Sequence, residues 1–327
     1  MSSSDPRVQY QDALRATSRA SGYYNHNVRV DGPDGPVLVR IPVPQADQMD
    51  LRIWPESDVL RVVCALADGV PALRHVSADP PFQVHEFVHG TQLDDLAPRG
   101  TAVPPAVIPA VLRLFDQLAA VPRERLPPLP SGWPADGQSS AFARTLSDWT
   151  QRVFDSCLPG FAALFRDLGI PDDPLATAVA DWPTLTERPF RLLHADLHRR
   201  NMLICADGVV FLDWELALWG DPLYELAVHV HKMTYLPAEL NDLLAGWAAR
   251  FDGSWRDDLR AYLRHERMKS AIVHTVRYAK EIAHGTPESR RTLLVEKLTG
   301  DLNRTRQVWR RPPLHRDDVG RALARWV

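Results

Sequence analysis

The segment LLHADLHRRNML, residues 192–203, sets one carboxylate, two histidines, two arginines and an asparagine between apolar flanks. Polar groups this close to a core need partners, so the flanks read as strands and the middle as a loop. Asp196 and Asn201 are five residues apart, and a second apolar run, VVFLDWE, delivers Asp213 twelve residues after Asn201. A loop–strand–turn–strand path of this kind brings Asn201 and Asp213 to one edge.

The rest of the chain must supply a scaffold around that edge. Up to about residue 90 it reads β-β-α-β-β. YYNHNVRV (23–30) and PVLVRIP (36–42) flank the turn cluster DGPDG. A helix follows over 56–68 with Pro55 ahead of it, and then strands at 72–76 and 82–88. Beyond Gly90 the spacing turns helical: 104–121, two or three helices over 141–183 interrupted at LPG and IPDDP, then 222–232, 238–251, 255–284 and 289–308. The stretch 122–140 is a Pro/Gly/Ser-rich loop, and the arginine-rich 304–316 reads as a solvated C-terminal surface. The fold class is therefore α+β, with a small β-rich lobe over 1–90 and a larger helical lobe over 91–327. A ligand is expected in the cleft between them.

Bulk properties narrow the function. The 327 residues carry a net charge of −3, so nothing pulls the chain toward nucleic acid. The first twenty residues lack an apolar signal core, and no run reaches the roughly 18 apolar residues of a membrane span. Cys64, Cys157 and Cys205 are few and far apart, which argues for a reducing, cytoplasmic setting. There are only four lysines, Lys232, Lys269, Lys280 and Lys297, so the N-terminal lobe has none.

HADLHRRN fits the pattern H-x-D-x-x-x-x-N. Phosphoryl transfer needs a carboxylate beside the attacking hydroxyl and oxygen ligands for Mg²⁺. Asp196 can accept the proton, Asn201 can offer an amide oxygen and Asp213 an anionic one. LLHADLHRRNML…VVFLDWELALWGDPLYELA resembles the signature of the aminoglycoside phosphotransferase and choline kinase group, a protein-kinase-like superfamily. Ala195 stands where that group has glycine. The resemblance implies a bilobal protein-kinase-like fold, Asp196 as catalytic base, Asn201 and Asp213 as metal ligands, and His194 and Asp221 as structural support. It implies Mg²⁺ and a nucleotide donor, ATP or GTP. More weakly, SGYYNHNVRV resembles the nucleotide-covering loop and hairpin, with Gly22, Tyr23 and Asn25 in it. VLVRIP resembles the strand that bears the phosphate-binding lysine; here that position is Arg40, with Glu56 as its partner. EFVHG, with Glu86 and Val88, resembles the hinge that holds the purine.

The implied activity is an O-phosphotransferase acting on a hydroxyl of a small-molecule antibiotic of the aminoglycoside, basic-peptide or nucleoside type. A choline, amino-alcohol or sugar kinase is the alternative within the class. A cationic acceptor would call for carboxylates on the C-terminal helices, and Asp148, Asp155, Glu225, Glu239, Asp242 and Glu266 are candidates. Two rivals come from other classes: a catalytically silent nucleotide-binding module, supported by the missing lysine, and a metal hydrolase built on His194, Asp196 and His229. Trp54, Trp214 and Trp219 are expected to pack.

Overall fold

The structure is a computed structural model, and it describes residues 5–16, 20–21, 25–43, 52–176, 179, 182, 185–251 and 255–326. An antiparallel sheet forms the N-terminal region, in the order β1 (Ala20–Ser21), β2 (Asn25–Gly32), β3 (Gly35–Pro42), β5 (Pro81–Glu86), β4 (Leu73–Ala78). The turn between β2 and β3 closes at Gly35, φ +104°, a backbone that glycine adopts without strain. Val28 and Val30 of β2, Val37 and Val39 of β3, and Phe82 and Val84 of β5 alternate onto one face and make a small core. The N-terminal segment, read above only as lacking a signal core, is a helix, α1 (Pro6–Arg15), which covers this core. Asp5 caps it by accepting from Arg7 N, and Tyr10 stacks on Phe82 at 4.6 Å.

Helix α2 (Glu56–Val63) joins the sheet to the rest of the molecule. Its Val59, Leu60 and Val63 belong to the large core of the C-terminal part, together with α4 (Val107–Ala119). Two small sheets sit at this junction. One pairs β7 (Arg191–Leu193) with β10 (Leu218–Gly220). The other runs β6 (Thr91–Gln92), β8 (Met202–Cys205), β9 (Gly208–Phe211). The short helix α3 (Leu93–Leu96) follows β6. Behind them stand α5 (Ser139–Asp167), α6 (Pro222–Met233), α7 (Pro237–Ala248), α8 (Arg256–Ala283), α9 (Glu288–Val308) and α10 (Arg316–Trp326). No helix among the described residues is long and apolar enough to cross a membrane.

Two expectations need correction. Helix α5 is not interrupted at LPG: it runs straight through Pro159. Phe154, Cys157, Phe161, Leu164 and Phe165 line one face of it and pack into a second core with α8, α9 and α10. Burying such a face outweighs the roughly 3 kcal/mol that an interior proline costs. The stretch 304–316 is also not simply a solvated surface. Arg306 is buried and donates to Leu168 O at 2.9 Å and Pro312 O at 2.5 Å, while Arg311 donates to Gly169 O at 2.9 Å. These arginines satisfy carbonyls at the end of α5 that have no helical partner. Trp54, Trp214 and Trp219 are all buried.

Candidate active site

β7 pairs with β10 and β8 with β9, so the chain between Leu193 and Met202 is held at both ends. Within it, Ala195 has φ +57° and its N–H donates to Glu225 Oε2 of α6 at 2.8 Å. His194 is fully buried. Its Nδ1 accepts from Asp196 N at 3.3 Å, which leaves Nε2 to donate to Leu212 O at 3.0 Å. Arg199, also buried, donates to the carbonyls of Met233, Ala97 and Thr101. The loop is thus fixed by bonds to α6, to the segment after α3 and to the strand beside it.

The Asp196 carboxylate projects from this frame. Lys232, in the last turn of α6, hydrogen-bonds its Oδ1. Asn201 Nδ2 donates to Oδ2 at 3.2 Å and to the Asp196 carbonyl at 3.0 Å, and His198 Nε2 lies 3.7 Å from Oδ2. Burial alone would raise the Asp196 pKa. The Lys232 ammonium and His198 more than offset it and hold the carboxyl well below the usual range. His198 is lowered too, to about 4, chiefly by burial, which disfavours its charged form.

Asp213 follows β9 in a left-handed conformation, φ +67°. Its Oδ1 accepts from Arg40 Nη2 at 2.9 Å. Arg40 Nη1 contacts both oxygens of Glu56, at 2.6 and 2.7 Å, and Glu215 lies 3.9 Å from Nη2. Glu56 Oε1 also accepts from Trp214 N at 3.0 Å. One planar guanidinium therefore joins β3, α2 and the turn after β9, a task for which its fork suits it. Burial works against the Arg40 charge, but Glu56, Asp213 and Glu215 raise its pKa above the ordinary value. The carboxylates remain in surplus. Asp213 is raised by burial and, against Arg40, by Glu56 and Asp196; Glu215 is raised to about 8 by burial and Asp213. Both Asn201 donations use its nitrogen, so the amide oxygen is left to accept. An amide oxygen beside crowded carboxylates is a donor set of the hard, oxygen-only kind that fits Mg²⁺.

Asp196, Asn201, Asp213, Arg40 and Glu56 line one cleft of about 2130 Å³. Glu86 and Val88 line it too, where β5 leaves the sheet, and Glu86 Oε2 accepts from Ala72 N at 3.1 Å. Asn25 opens β2 opposite Pro42 and is not among the lining residues. Gly22 and Tyr23 lie outside the described residues. Asp221 is fully buried. It caps α6 through Leu223 N and receives Arg188 and the Tyr262 hydroxyl, and Arg188 is shared with Asp258.

The structure adds Lys232 and Glu225 in positions that spacing could not reveal. They lie 36 and 30 residues from the atoms they contact, and only the packing of α6 against the loop brings them there. None of the six carboxylates considered for a cationic acceptor lines the cleft. Glu225 and Glu266 are buried in internal bonds, Glu239 accepts from Val103 N and Leu236 N, and Asp148, Asp155 and Asp242 face solvent elsewhere. His229 uses one ring nitrogen on Leu197 O and the other on Tyr235, which leaves no lone pair for a zinc site with His194.

The sequence model of a family described as a phosphotransferase enzyme family matches residues 15–263. No curated protein sequence matches significantly. Solved structures do. A choline/ethanolamine kinase family protein from Mesorhizobium loti superposes with a TM-score of 0.59 at 16% identity, covering 99% of this chain and 95% of that one. A macrolide 2'-phosphotransferase from Brachybacterium faecium gives 0.54 at 17%, over 91% and 98% of the two chains. A thermostable mutant of aminoglycoside phosphotransferase APH(4)-Ia, in a ternary complex with AMP-PNP and hygromycin B, gives 0.55 at 17%, over 93% and 98%. At these identities the likeness is one of fold.

Proposed function

The chain belongs to this phosphotransferase enzyme family, and from that premise we propose that it moves the γ-phosphoryl group of ATP or GTP onto a hydroxyl of a small molecule, with Mg²⁺. The observation that carries the reading is the convergence of Asp196, Asn201, Asp213 and Arg40 in one cleft between the sheet and the helices. Asp196 receives the hydroxyl and takes its proton as the oxygen bonds to phosphorus. The bond from phosphorus to the bridging oxygen breaks, and its electron pair leaves with the nucleoside diphosphate. A carboxylate held so firmly ionised is a weak base. Its larger contribution is to aim the hydroxyl, which suits a loose transition state in which proton transfer comes late. Arg40 supplies a buried cation for the α- and β-phosphates, oriented by Glu56. Asn201 and Asp213 would hold Mg²⁺, which neutralises phosphate charge when bound. Glu86 and Val88 offer backbone groups to the purine.

The acceptor is less constrained. Macrolide and aminoglycoside kinases among the similar structures support an antibiotic, while choline and ethanolamine kinases support an amino alcohol. We infer a cytoplasmic setting, where the donor nucleotides are and where free thiols such as Cys64 and Cys205 stay reduced. The test is nucleotide-to-acceptor transfer with Mg²⁺ across a panel of antibiotics, amino alcohols and sugars, read as phosphorylated product by mass spectrometry. Tight nucleotide binding without transfer to any acceptor would favour a silent binding module instead.

A further inference from the structure

Arg40, Asp213 and the β5 edge line one part of the cleft, where the donor belongs on the phosphotransferase reading. Residues of α8 and α9 line it as well, and that wall is left for the acceptor that must reach Asp196. That wall is basic. Arg267, Arg277 and Lys280 of α8 and Arg290, Lys297 and Arg304 of α9 line the cleft, and so do Arg99 and Arg200, within electrostatic reach of Lys297. The carboxylates lining the same half are Asp94, Glu281 and Asp301.

Two of those three are already committed. Asp301 meets His274 Nδ1 at 2.6 Å and Arg304 Nη2 at 2.5 Å, and Glu281 meets Arg290 Nε at 2.7 Å. Only Asp94 is left to balance Arg99, Arg200 and Lys297. These charges feel one another. Lys297, open to solvent on one side, is shifted down by partial burial, then by Arg99 and Arg290, with Asp94 opposing them. Arg267 is likewise lowered by burial and by Arg304. A polycation entering here would meet like charge, whereas an anion would relieve the repulsion.

We infer that the acceptor carries an anionic group, a carboxylate or a phosphate monoester, which seats on the Arg99, Arg200 and Lys297 cluster while its hydroxyl faces Asp196. The inference rests on the phosphotransferase reading and turns its acceptor away from the polycationic antibiotics.

The test titrates the full chain, loaded with Mg²⁺ and AMP-PNP, with four probes: D-gluconate, glucose 6-phosphate, glucose and kanamycin. At least one of the two anions should bind about tenfold more tightly than glucose, the gain expected of one charge-assisted contact. Its affinity should fall with added salt, and kanamycin should bind no better than glucose. Whichever anion wins tells carboxylate from phosphate. Lys297→Glu combined with Arg200→Glu should abolish that preference; both side chains are exposed, so the fold is not at stake. Arg99→Gln should weaken it in the same direction. A preference for kanamycin, or no advantage of either anion over glucose, overturns the inference and leaves the phosphotransferase reading standing. Failure of Mg²⁺–AMP-PNP to bind at all would defeat that reading and take the inference with it.

Discussion

At the scale of single residues, the proposed division of labour separates in kinetics. Asp196→Asn keeps the shape and removes the acceptor of the proton. It should lower kcat by about 10²–10⁴-fold, as loss of a general base does, with nucleotide affinity retained in a binding titration. Arg40 should behave differently, because it also holds the fold together. Arg40→Ala leaves Glu56 buried beside Asp213 without a cation. Breaking a buried pair in this way costs about 3–5 kcal/mol of stability, in addition to about 1.5–3 kcal/mol of nucleotide binding. Calorimetric melting and nucleotide KM should therefore both shift, and Arg40→Lys should recover part of each. Unchanged nucleotide KM in a folded Arg40→Ala would remove Arg40 from the phosphate site. Ala195→Gly should be nearly silent, since relief of a left-handed alanine offsets the extra freedom glycine has when unfolded. That Asp196, Asn201 and Asp213 belong together was legible in the sequence because their grouping is written in local spacing, and the structure brings them to one cleft. Lys232, Glu225 and the basic wall were not, because helices far along the chain carry them to the site.

Among the elements, the helices from 222 to 308 match their sequence reading within one residue at each end, except that the one expected to reach 251 stops at Ala248. Each carries its apolar stripe through to a Pro, Gly or polar break. What the sequence hid were elements with little periodicity of their own: two-residue β6, and α1, whose polar face dominates its ten residues. Proline was over-read. Pro159 is exposed within α5, so Pro159→Ala removes a helix penalty without emptying any packed space. It should stabilise the protein by about 1–3 kcal/mol, seen as a higher Tm, with the lower figure reflecting the greater freedom of the unfolded chain. Gly220 is the opposite case. A Cβ there would come within 2.3 Å of the ring of Phe142, which is fully buried, so Gly220→Ala should destabilise by about 1–3 kcal/mol. A melting temperature equal to the parent's would show that β10 can move away from α5.

For the whole molecule, pH acts through links between helices. Asp301 of α9 is paired with His274 of α8 and with Arg304 on its own helix, and His231 of α6 lies within electrostatic reach. Burial would raise its pKa, but the His274 bond and Arg304 bring it below the ordinary value. Its contribution is therefore fully present above the unfolded pKa of ~3.9 and is lost as pH falls through the lower folded one. Asp301→Asn should melt below the parent at neutral pH, and the gap should close as the pH approaches ~2–3. A gap independent of pH would mean the pair contributes through packing alone. The scarcity of lysine has a consequence of a different kind. Lys232, Lys280 and Lys297 all open onto the cleft, and Lys269 is tied to Glu266 beneath it. Every lysine amine thus lies in or under the binding cavity. Acylating reagents, biotin esters and amine-coupling surfaces will report on occupancy of that cavity, and a sensor chip or fluorophore attached through lysine will occlude the site it was meant to observe.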